Sequence, residues 1–183
     1  MSLKPQDILV CLKLAANYGA PWSYPSLVHA LHLSVGEAHK SVNRLATARL
    51  YDEMQRRPRM AALEEFLIHG VKYAFPSQRG GPTRGIPTAY GASPLKEFFV
   101  ESTEELPVWP YAEGSSRGYE FSPIYATAPQ AALKDPKLYE LLALLDAIRG
   151  GGARERQQAE KLLRECLQTA RTQERVLSTK VTT

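Results

Sequence analysis

The chain has 183 residues, 44% of them hydrophobic and 23% charged, with a formal net charge of +4. That is the size of one domain, or one small domain with an appendage, with enough apolar matter for a packed core. No apolar run approaches the roughly 18 residues of a membrane span, and nothing after Met1 reads as a signal segment. Cys11 and Cys166 have no CxxC partners, which excludes a disulfide framework and a cysteine-rich zinc site and makes a reducing cytoplasm the expected compartment.

The charge is unevenly spread. Residues 1–60 carry eight basic and four acidic side chains, an excess equal to that of the whole protein, and residues 61–92 are near neutral. Residues 93–127 carry two basic against six acidic side chains, and residues 128–183 ten against seven. A basic N-terminal third permits a polyanionic partner. Nine of the thirteen prolines fall between Pro76 and Pro136, so short strands, turns and extended loops are expected there.

In chain order, residues 5–18 place Ile8, Leu9, Leu12 and Ala15 at helical spacing, with Gly19 as the stop. Ser23 can cap a short second helix, Tyr24–Leu31, whose inner face is Leu27, Val28 and Leu31. Ser34 and Glu37 form a capping box that opens a third helix to about Leu50, with Val35, Ala38, Val42 and Leu45 on its inward stripe. The opposite face presents Gly36, Glu37, Lys40, Asn43, Arg44 and Thr47. Lys40 and Arg44 suit phosphate or guanine, Asn43 suits an adenine edge, and Gly36 allows close approach to a duplex. Glu37 is the misfit unless the cap occupies its carboxylate. His29, His32 and His39 lack the partners that would complete a metal site.

Residues 5–50, and above all Tyr24–Leu45 with its Leu31-His32-Leu33-Ser34 approach to the third helix, resemble the winged helix-turn-helix regulators of the MarR-like kind. The resemblance implies a DNA-reading third helix, double-stranded DNA as partner and a homodimer. A weaker likeness, on Leu145–Arg156, is to helix-turn-helix proteins of bacterial toxin–antitoxin or defence operons, and implies a toxin-like partner protein.

After Leu50 the pattern departs from those regulators. Arg56, Arg57 and Arg59 form the densest basic cluster, and Met60, Leu63, Phe66, Leu67, Val71 and Ala74 predict a fourth helix from Met60 to Lys72 where a winged helix would go straight into its hairpin. Residues 71–90 read as a hairpin whose tip, Gln78–Gly85, carries Arg79 and Arg84 and would serve as a displaced wing. Residues 93–127 hold seven of the sixteen aromatics, expected as chain wrapped over a core or as a protein-contact surface.

Asp135-Pro136 starts a leucine-rich helix with Leu138, Leu141, Leu142, Leu145 and Ile148 in one stripe. Gly150–Gly152 breaks it, residues 153–177 resume, and Ser178–Thr183 is expected to fray. Cys166, on the apolar face of the second helix, reads as a small buried hydrophobe. The expected fold is mainly α with a small β-hairpin: an N-terminal winged helix-turn-helix plus a C-terminal αα-hairpin. The units are 1–92 for DNA, 93–134 as extended connection and 135–177 as helical hairpin and candidate dimerisation element. His69 with Glu64 and Glu65 has no nucleophile beside it, so no enzyme, cofactor or metal is expected. The DNA-contacting set is Gly36, Lys40, Asn43, Arg44, Thr47, Arg56, Arg57, Arg79 and Arg84. The function expected from these residues is that of a cytoplasmic transcriptional regulator, a repressor acting as a homodimer, with a protein-interaction or antitoxin role as the alternative.

Overall fold

In the computed structural model, which describes residues 2–99 and 105–181 and the side chains of the last helix as far as Gln173, polar residues open the early helices where their chemistry places them. These are α1 (Pro5–Ala16), α2 (Tyr24–Leu31) and α3 (Val35–Thr47). Ser23 Oγ accepts from the Ser26 N–H, and Ser34 Oγ accepts from the Glu37 N–H while Glu37 returns a carboxylate oxygen to the Ser34 N–H at 2.9 Å. Each cap removes orphan donors from a helix start. Val35, expected on the inward stripe, is instead 55% exposed. It stands in the first turn of α3, before the helix reaches α1, and Ala38, Ser41, Val42 and Leu45 form the buried line.

A hairpin does follow α3 directly. Strands β1 (Tyr51–Asp52) and β2 (Arg57–Pro58) pair antiparallel around the four-residue tip 53–56. The fourth helix is present but interrupted: α4 (Met60–Glu65) and α5 (Val71–Ala74) flank a π-helical turn, Phe66–Gly70. Residues 78–85 are not a hairpin tip. All but Gln78 lie in a long strand, β3 (Arg79–Pro87), which pairs antiparallel with β4 (Pro107–Pro110) along its end and with β5 (Ser116–Phe121) along its beginning. Strands β4 and β5 also pair parallel, closing the three strands on one another. Gly85 is the crossing point, opposite both Pro110 and Ser116, and a Cβ there would overlap the Trp109 carbonyl. Only glycine allows that approach.

The acidic segment folds over the core rather than extending past it, with Trp109 and Phe121 fully buried; Val100–Glu104 lie outside the described residues. A further helix, α6 (Ala128–Lys134), precedes the Asp135 cap, within the segment expected to be extended. Then come α7 (Pro136–Gly150) and α8 (Ala153–Val181), separated at the glycine run as expected. Helix α8 continues through most of the segment expected to fray. Among the described residues no helix is long and apolar enough to cross a membrane.

Helices α1 and α7 form the centre. Both are buried nearly all round, and they touch each other while α3, α8, α6 and the β2 strand cover them. Leu138, Leu141, Leu142, Leu145 and Ile148 are thereby used within the chain, in one core cluster that runs from Ile8 to Leu167. Lys13 of α1 and Asn17 at its end both reach Asp135, whose other carboxylate oxygen caps α7 at the Leu138 N–H. Inside, Asp146 of α7 accepts from Thr88 at 2.8 Å, Trp109 at 2.6 Å and Arg149 at 2.7 Å. Burial pushes this carboxyl above its ordinary range against the pull of all three donors. The result ties the three-stranded unit to the central helix. The chain is therefore mainly helical, with a small two-stranded antiparallel sheet and a three-stranded one.

Candidate nucleic-acid interface

The nine residues expected to contact DNA do not share one surface. Gly36, Lys40, Asn43 and Thr47 do: they follow one another at four, three and four residues along α3 and all are exposed. A Cβ on Gly36 would meet nothing within 4 Å, so no internal packing requires glycine there. Thr47 donates its hydroxyl to the Asn43 backbone carbonyl at 2.9 Å, a bond that does not use the side-chain amide of the exposed Asn43. Glu37, the acidic misfit, is occupied: besides the cap, it accepts from the Tyr125 hydroxyl at 3.3 Å. The cap hydrogen bonds at Ser34 hold its carboxyl below the ordinary carboxylate range, so it stays ionised in that role.

Arg44 is not on this face. It is only 4% exposed and donates from Nε and Nη2 to both oxygens of Asp7, at 2.7 and 2.5 Å. The geometry is a two-point fork, and hydrogen bonding to Asp7 raises the guanidinium pKa further. Asp7 also accepts from the Lys4 N–H at 2.8 Å, closing the start of α1. Arg44 lies beside the buried Ser41, so its long side chain can turn inward toward α1. Asp7, three residues after the Lys4 cap of a helix that is otherwise largely apolar, was the local feature that pointed to a buried acid in need of a cation.

Arg56 and Arg57 lie on the β1–β2 hairpin, whose first strand packs on α3 and whose second packs on α1, so both side chains stand over the connection between α1 and α2. Trp22 brackets Arg56: its indole N–H donates to the Arg56 carbonyl at 2.9 Å, and the guanidinium lies 4.8 Å from the ring centroid while donating to the Trp22 carbonyl. Arg57 lies over the Tyr18 ring and donates to Gln55. Arg79 and Arg84 belong elsewhere. Arg79 donates to the Gly150 carbonyl at the end of α7 and covers Phe121, while Arg84 donates to the Gly114 carbonyl. Both are placed by the three-stranded unit, so the expected displaced wing does not form.

Further residues border this surface. Tyr24 stacks on His39 of α3 at 3.5 Å, Trp22 meets Tyr24 and Tyr51 edge to face, and Arg49 is exposed just past the end of α3. His29 and His32 are exposed on and after α2. Comparison of the chain with protein-family models, with curated proteins and with solved structures gave no match.

Proposed function

We propose that the chain is a sequence-specific DNA-binding transcriptional regulator of the winged helix-turn-helix kind, reading duplex DNA through the exposed face of α3. The observation that carries this reading is the stripe Gly36, Lys40, Asn43 and Thr47 on a helix whose one acidic residue is held in its own cap. In the major groove, Lys40 would donate to phosphate or to guanine, and the Asn43 amide would pair with an adenine edge. The bare Gly36 backbone lets the positive end of α3 come close to the duplex. The β1–β2 hairpin takes the place of a wing, with Arg56 and Arg57 as its phosphate contacts.

A regulator of this kind reads paired half-sites as a dimer. The leucines of α7 are used within the chain, so the surface offered to a second copy is the rim of a groove of about 270 Å³ among α1, α7 and α8, where Leu162, Cys166 and Ala170 of α8 are only partly buried. A dimer covering a promoter represses by excluding other proteins from it.

The test is a gel-shift titration with duplexes enriched by the full chain from a random-sequence pool. Replacing Lys40 and Asn43 together by alanine should abolish the specific shift at unchanged melting temperature, and wild-type affinity should fall steeply with salt. Binding that survives in that double variant would falsify the assignment.

A further inference from the structure

We infer, on the reading that this chain binds duplex DNA, that Met54 at the tip of the β1–β2 hairpin is an apolar wedge that enters the minor groove and opens a base step. Met54 is 96% exposed, the most exposed of the large apolar side chains among the described residues. The chain gains almost no burial from it, so its own stability gives no reason for an apolar side chain there.

The tip that carries it is held in place. Asp52 accepts from the Gln55 N–H at 3.0 Å across the tip, and the flanking residues pair in register as Tyr51 with Pro58 and Asp52 with Arg57. Arg56 adopts a left-handed backbone, φ 51°, which is unfavourable for a side-chain-bearing residue and is fixed here by the Trp22 bracket. From Trp22 the contact passes to Tyr24 at 5.2 Å and from Tyr24 to His39 of α3 at 3.5 Å. The hairpin tip is thus set relative to the proposed reading helix before any ligand arrives, which removes an ordering cost from binding.

The surrounding charge favours a duplex over a protein surface. Arg56, Arg57 and Arg59 follow Met54 within five residues, and of the two nearby acids Asp52 is engaged by the Gln55 N–H and by Arg59. Glu53 is the one acidic side chain of the tip. With α3 in a major groove, a hairpin packed beside it faces the phosphate backbone and the adjacent minor groove. A slender, polarisable thioether flanked by arginines is a side chain of the kind that separates base pairs there, with guanidinium groups held to the phosphates.

The experiment uses the full chain and a duplex it enriches from a random-sequence pool, with 2-aminopurine placed at successive positions. Wild type should brighten the probe at one step outside the sequence contacted by α3. Met54→Ala should lose that signal and about tenfold in affinity at unchanged melting temperature, and Glu53→Gln should bind a few-fold more tightly by removing like-charge repulsion from phosphate. If Met54→Ala binds and brightens like wild type while the Lys40 and Asn43 double variant does not bind, the wedge is overturned and the DNA reading stands. Loss of affinity in Met54→Ala from a wild type that never brightens the probe also overturns the wedge, since the contact then opens no step. If no duplex is enriched, both inferences fall.

Discussion

Arg44 and Lys40 are four residues apart on α3, one cation clamped on Asp7 inside the molecule and the other in water. The difference decides what each substitution measures. Arg44→Ala leaves Asp7 buried without its counter-charge, so unfolding in urea should show a loss of about 3–5 kcal/mol. Its DNA binding should fall only in proportion to the unfolded fraction, whereas Lys40→Ala should do the reverse. Glu37 provides a pH test. Its folded-state pKa lies below the ordinary 4.5 because the Ser34 cap favours the carboxylate, so its contribution is full above that value and is lost as pH falls through the folded pKa. Melting temperatures of wild type and Glu37→Gln should therefore differ at neutral pH and converge in acid. A gap that stays constant across that range would remove the carboxylate from the cap's energetics.

At the scale of elements, two glycines with opposite surroundings separate binding from folding. Gly36 in α3 has open space around it, so Gly36→Ala should stabilise the fold by about 0.5–1 kcal/mol through helix propensity. It should still weaken DNA binding, because the added methyl meets only an external partner. Unchanged affinity would place the duplex away from the start of α3. Gly85 is enclosed by the Trp109 carbonyl and Val108 where β3 meets both β4 and β5. Gly85→Ala should prevent the three strands from closing, and the near-ultraviolet signal of buried Trp109 should report the loss. The helix starts at Ser23, Ser34 and Asp135 were legible from residue type because a cap is a local hydrogen bond. The strands were less so: β3 pairs with partners more than twenty residues further along the chain, and its arginines, glycines and prolines resemble a turn when read alone.

For the whole molecule, α7 is the determinant. It packs on α1, α6, α8 and the helical segment around Phe66–Gly70, so the N-terminal helices and the C-terminal pair share one core. Leu145→Ala should cost about 2–5 kcal/mol and lower the stability of α3 along with the rest. Helical circular dichroism and Trp109 fluorescence should then lose signal in a single coincident transition. A fragment of residues 1–92 should not fold by itself, since α1 would expose the face that α7 covers; an independently melting fragment would contradict a shared core.

Amino-acid order by itself determined what depends on neighbours within a few residues: the capped starts of α2, α3 and α7, the break between α7 and α8, the apolar faces of α1 and α7, the basic N-terminal third, and the exposed positions of Lys40, Asn43 and Thr47 along α3. Tertiary structure decided which charged residues remain outside. Arg44 met Asp7 from 37 positions away, Arg79 met the end of α7, and Trp22 fastened the hairpin that carries Met54. The physical reason is that helical periodicity specifies a direction around an axis, whereas the burial of a long cationic side chain depends on an acid or carbonyl that only the packed chain brings within reach.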